Sequence, residues 1–311
     1  MRRKIFIIFL FFILLSFFSI LTGPVKTLEK SIIFEIRIPR ILVVIFSGSL
    51  LSIAGLFSQT LFRNPIAEPY LLGISAGAAL GAFIAKNFIP PFPYSTQIFA
   101  FIFSQIVVLI VIFISLRDGF LPRETLLLSG IALSLLFSGI LSLLIFLSPS
   151  ERIKIFFWFF GSFSLVSWNE FCILLLIFIF SFIFLFLNIK KYDLMLLSDE
   201  EALSLGIDIK KERVILSFFI SLLTGAVVSI AGIIGFLGLV VPHIARRVAK
   251  SGKHKNLTLY TAFIGSLLLL ICDDLSRILF GGAEIPVGVF TSLLGVPFFL
   301  YLIVKRREGI F

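Results

Sequence analysis

The sequence predicts an all-α polytopic membrane protein, and three observations lead there. Of the 311 residues 59% are hydrophobic and only 14% charged, where a soluble domain carries about 25% charged residues to face water. Forty are phenylalanine. The charges that exist fall between ten long uncharged runs, with Lys and Arg crowded into alternate gaps.

A helix rises about 1.5 Å per residue and needs about 20 apolar residues to cross a hydrocarbon core. The runs are 5–25, 41–62, 69–85, 87–116, 125–150, 155–169, 171–189, 214–242, 256–272 and 285–304. The first follows Met1-Arg2-Arg3-Lys4 and is too long for a signal-peptide core, with no small-x-small site after it, so it reads as a retained span. Pro90, Pro91 and Pro93 make the start of the fourth run a loop, and its span begins near Ser95. The run 155–169, with Trp158, Gly161 and Trp168, suits a half-buried or interfacial helix.

The run Val214–His243 decides the parity of the topology. It separates two basic segments, 188–213 and 246–255, both of which the positive-inside rule assigns to the cytoplasm. The chain must therefore go out and return within about 30 residues. Gly225, Gly232, Gly235 and Gly238 allow a break near the outer face. Counting two spans here gives ten, both termini inside, with 19 Lys and Arg on cytoplasmic segments against 8 outside.

The net charge of +10 follows from that asymmetry and calls for no nucleic acid, since no aromatic-and-basic groove pattern appears. Cys172 and Cys272 read as packing residues. No acidic residue or Lys falls near the middle of a span, which argues against an ion-coupled secondary transporter lacking an ATPase. His243 and His254 are the only histidines, so neither a metal site nor a membrane enzyme is expected, and no cofactor is called for. No phosphate-loop motif is present, so a pump would need its motor on another polypeptide.

Two polar features stand out. Ser198 with Glu201 forms a capping box, Asp199 and Glu200 fill the first turn, Ala202, Leu203 and Leu205 continue the helix, and Gly206 supplies a left-handed stop. This predicts a short helix outside the membrane, which is either a solvated loop helix or a plug for a groove on a cytoplasmic partner. At the outer face, Arg37 and Arg40 flank Pro39, and Arg277 follows Asp273 and Asp274. These arginines either anchor the interface and pair locally with the aspartates, or offer a basic docking surface to an acidic partner.

Six stretches in order carry a family resemblance: RIPR at 37–40, RNPIAEPYLLGISAGA at 63–78, FFWFFGSFSLVSW at 156–168, LSDEEALSLGI at 197–207, AGIIGFLGLVVPHIAR at 231–246 and EIPVGVFTSLLGVPFFLYL at 284–302. Together they resemble the permease subunits of ABC importers for iron siderophores, haem and cobalamin (type II, FecCD/BtuC-like). The resemblance implies a single ten-helix permease domain over 1–311 in the cytoplasmic (inner) membrane, paired as a homodimer. It implies cytoplasmic ABC ATPase subunits and an external substrate-binding protein as partners. By it Ser198, Asp199, Glu200, Glu201, Ala202, Leu205 and Gly206 belong to the ATPase-coupling helix, and Arg37, Arg40 and Arg277 to binding-protein docking. The path would follow the dimer interface along the fifth span and the aromatic segment 149–160.

Overall fold

The computed structural model of the chain describes residues 2–22, 29–117, 119–148, 158–279 and 284–307. Eleven helices are described: α1 Arg2–Leu21, α2 Lys30–Leu61, α3 Ile74–Phe88, α4 Ser95–Ser115, α5 Arg123–Leu147, α6 Trp168–Leu194, α7 Asp199–Ser204, α8 Ile209–Ala231, α9 Leu237–Ala249, α10 His254–Ile278 and α11 Val287–Arg307. Six of them (α2, α4, α5, α6, α8 and α10) are long and apolar enough to cross a membrane. Shorter apolar helices lie at Phe12–Leu21, Ile74–Phe88 and Val287–Tyr301.

The bundle is built around α2. In its most apolar stretch 83% of the residues are buried within the chain, against 72% for α8, 67% for α10 and only 11% for α5. With no water to expel between helices in lipid, such a centre depends on close packing by small residues. Gly55 shows how tight it is: a Cβ there would lie 2.1 Å from the backbone of Gly238, so α2 and α9 touch backbone to backbone. A π-turn, Ile33–Arg37, precedes Pro39, whose ring has no N–H for the turn before it.

The segment that decides parity breaks after α8. Gly232 has φ +77°, a conformation without penalty only for glycine, and residues 232–236 run without helix. Gly225 stays inside α8 and Gly238 inside α9. Several of the freed backbone groups find partners, as irregular backbone at membrane depth requires. Ser162 N–H donates to Ala231 O at 2.7 Å, Phe236 N–H to the Glu68 carboxylate at 2.8 Å, and the Tyr70 hydroxyl to Ile234 O at 2.8 Å. After the break the chain continues as α9, whose 13 residues reach about 20 Å. One full helix, an unwound stretch and a short helix together occupy residues 209–249, extending past both ends of the uncharged run.

The two basic segments meet at one end of the bundle. His254, at the start of α10, bonds through its backbone N–H (2.9 Å) and ring Nδ1 (2.6 Å) to Asp193 at the end of α6, while its Nε2 lies 2.7 Å from Thr60 Oγ1. Arg246 of α9 donates to Gln59 of α2 at 2.6 Å.

Two expectations are modified. Residues 149–157, with Phe156 and Phe157, lie outside the described residues. In the described remainder Trp158 and Phe159 are helical and 160–167 run irregularly, tied by Val287 N–H to Gly161 O (3.0 Å) and Gly288 N–H to Phe160 O (2.8 Å). Cys272 packs in the core, whereas Cys172 is exposed on the surface of α6.

Candidate coupling and docking sites

At the end where the basic segments meet, the link between α6 and α8 folds as its capping signals dictate. Ser198 Oγ accepts from Glu201 N–H at 3.2 Å and the Glu201 carboxylate accepts from Ser198 N–H at 2.9 Å, so both halves of the box form. The other end closes as a Schellman turn: Ile207 N–H donates to Ala202 O (3.0 Å) and Gly206 N–H to Leu203 O (2.9 Å), with Gly206 at φ +81°. Asp208 then caps α8 by accepting from Lys211 N–H at 3.0 Å. The result is α7, six residues long, with Leu205 in its C-terminal cap.

This helix has two sides. Ala202 is fully buried against the bundle. Leu203 and Leu205 are more than half exposed, with Leu196 and Leu197 exposed beside them and Glu200 also facing out. Four exposed leucines and a carboxylate on a short extramembrane element make a surface suited to a partner.

What holds α7 down is tertiary and has no local signal. The Asp199 carboxylate meets three guanidinium groups: Arg63 just beyond α2 (2.9 Å), Arg123 at the start of α5 (2.6 Å) and Arg213 in α8 (2.8 Å). Arg63 also donates to Met195 O at 2.6 Å and Arg213 to Leu121 O at 2.8 Å, which fixes two of the three side chains. Burial alone raises the Asp199 pKa, and Arg213 and Arg123 more than reverse it, so the carboxyl is held below its ordinary range. Burial and then the neighbouring Arg123 lower the pKa of Arg63, a sign of crowding among the cations. No local pattern links Arg63, Arg123 and Arg213, and only the fold brings them together.

The opposite end carries Arg37, Arg40 and Arg277, all at most 6% exposed. Arg40 donates to Asp273 at 2.9 Å and to Glu284 at 2.8 Å. Arg277 Nε lies 3.1 Å from Asp273, and its Nη2 reaches Asp274 and the Ser19 hydroxyl of α1, the latter at 2.6 Å. Arg37 donates to Ile20 O of α1 at 2.7 Å. Asp273 has no exposed side-chain surface. Arg40 and Arg277 pair with Asp273, Asp274 and Glu284, and together with the Arg37 bond to Ile20 they tie α1, α2 and α10 together. The structure thus brings the three predicted arginines into one cluster and the seven predicted α7 residues into another.

Comparison with known proteins gives these two ends a context. The sequence profile of the FecCD transport family matches residues 5–305. The hemin transport system permease protein HmuU of Yersinia pestis is 38% identical over 280 residues, covering 88% of this chain and 83% of that protein. The vitamin B12 import system permease protein BtuC of Vibrio cholerae is 32% identical over 286 residues, covering 91% and 86%. A solved structure described as an inward-facing metal-chelate type ABC transporter superposes with a TM-score of 0.89 at 28% identity, covering 98% of this chain and all of that one.

Proposed function

The chain belongs to the FecCD transport family and is a multi-pass inner-membrane permease subunit of an ABC importer, and from that premise we propose that it moves an iron chelate, haem or cobalamin from an external binding protein into the cytoplasm. ATP binding and hydrolysis on separate subunits displace α7, and the displacement opens and closes a path between two permease copies. The observation that carries this reading is α7 itself: capped at both ends, exposing Leu203 and Leu205, and anchored to the bundle through Asp199. An ion-coupled carrier has no use for such an element.

The finer architecture is part of the proposal. Ten crossings arise if the six long helices, the three shorter apolar ones and α9 all count, with both termini inside. The 1–311 chain then acts as one permease domain. The contact of Asp193 with His254, which puts the two basic segments at one end, supports this count. The poor burial of α5 supports a second copy packing there, because that helix keeps most of its surface outside the chain. For the outer face, Arg37, Arg40 and Arg277 serve docking by holding the loops of the receiving surface in shape, with Glu284, a quarter exposed, at its edge.

The test is uptake by proteoliposomes containing this permease, its ATPase subunits and its loaded binding protein. Uptake of one of the three ligand classes that requires ATP and survives ionophores is the expected result. Uptake that proceeds without ATP and collapses with the ion gradient would overturn the proposal in favour of a secondary carrier.

A further inference from the structure

We propose that Asp199 is a positioning residue that works inward, towards the membrane helices: its one carboxylate locks α7 to α2, α5 and α8 so that the coupling helix and the three spans move as one body. The inference rests on the reading of α7 as the coupling element, and adds how that element grips the rest of the permease.

A helix of six residues cannot hold itself in place, because one or two turns lie below the length at which helices are stable alone. Its position must come from tertiary ties. The buried methyl of Ala202 contributes little area. The Asp199 cluster contributes three charge-assisted contacts to three separate elements, at 2.6 to 2.9 Å. No other residue among those described on α7 makes an ion pair to the bundle.

The surroundings show that charge and not close packing maintains this tie. A cleft of about 300 Å³, lined by Phe120, Pro122, Arg123, Glu124, Asp199 and Arg213, opens beside it. Arg63 and Arg123 each keep almost a fifth of their side-chain surface exposed. Without the carboxylate, Arg123 and Arg213 would face one another across that space, with Arg63 close by and, among the lining residues, only Glu124 to offset them. Arg123 is the first residue of α5, the helix expected to border the path. A push on α7 therefore reaches the path helix through a single hydrogen bond.

The experiment uses the complete reconstituted complex and measures ligand taken up per ATP hydrolysed. For Asp199→Asn this ratio should fall about tenfold, within the usual span of coupling between two sites. Asp199→Glu, which keeps the charge, should restore part of it. Arg123→Gln removes only the α5 arm and should also lower the ratio, which covers the case in which Asp199→Asn does not assemble. A ratio unchanged in either neutral variant overturns the inference. Cross-linking of Leu203→Cys to the ATPase, in an otherwise wild-type permease, reads the underlying assignment separately: its absence sinks the coupling role of α7, whereas its presence with an unchanged ratio sinks only the role of Asp199.

Discussion

Replacing Asp273 by Asn tests whether the outer arginine cluster is an internal pin or a free docking surface. The carboxylate lies 2.9 Å from Arg40 Nη2 and 3.1 Å from Arg277 Nε, with no exposed surface of its own and with partners that are 8% and 2% exposed. Asn leaves the volume almost unchanged but removes the negative charge that Arg40 and Arg277 share. Breaking a buried pair by removing one partner typically costs about 3–5 kcal/mol, because the other charge stays buried and uncompensated. Glu284 and Asp274 remain to receive the two guanidiniums, so about 3 kcal/mol is the figure expected here. The assay is thermal unfolding of the purified permease in lipid nanodiscs at low and high salt. Surface pairs are screened by salt and this buried one is not, so the loss should be the same at both ionic strengths. The double variant with Arg40→Gln should lose less than the sum of the two single variants, because both remove the shared Arg40–Asp273 pair. An unaltered melting temperature, or a loss that vanishes at high salt, would show that the arginines are exposed and would return them to a direct docking role.

Three further outcomes are expected. Gly55→Ala places a Cβ against the Gly238 backbone, which cannot yield as a side chain can; it should destabilise by about 1–3 kcal/mol, read as a lower melting temperature, and an unchanged value would mean that α2 and α9 do not touch. Leu205→Asp puts a carboxylate on the exposed face of α7 and should weaken binding of the ATPase measured by co-purification, with full recovery of the complex as the contrary result. The Asp199 tie has a defined pH signature. Its folded pKa lies below the ordinary value of 3.8, so its contribution is complete above about pH 4–5 and is lost as pH falls through the depressed folded value. The stability difference between wild type and Asp199→Asn should therefore be flat from pH 8 to about pH 5 and shrink only in stronger acid; a difference that changes around neutrality would point to another group.

Much of this was legible in the sequence, for physical reasons that differ by feature. Long uncharged runs mark helices because lipid tolerates nothing else, and Ser198, Glu201 and Gly206 mark the ends of α7 because caps are local hydrogen-bond problems solved within a few residues. Charge parity predicted a break between 214 and 243, and the helix does break at 232–236, yet the form of the break depends on Glu68 and Tyr70, about 165 residues away, catching the backbone at Phe236 and Ile234. The same limit hid the Asp199 cluster, whose arginines stand at 63, 123 and 213, each an ordinary end-of-helix charge when read alone. It also left the outer arginines with two readings, since only the fold brings Asp273, Asp274 and Glu284 to them.

The account turns on α8 leaving the cytoplasmic side and α9 bringing the chain back to it. With Cys172 and Cys272 replaced by Ser, single cysteines at Lys210 and Lys253, both exposed, can be labelled with a membrane-impermeant thiol reagent in sealed vesicles of each orientation. Both positions should react only in inside-out vesicles; reaction of the two from opposite faces of the bilayer would contradict the out-and-back route.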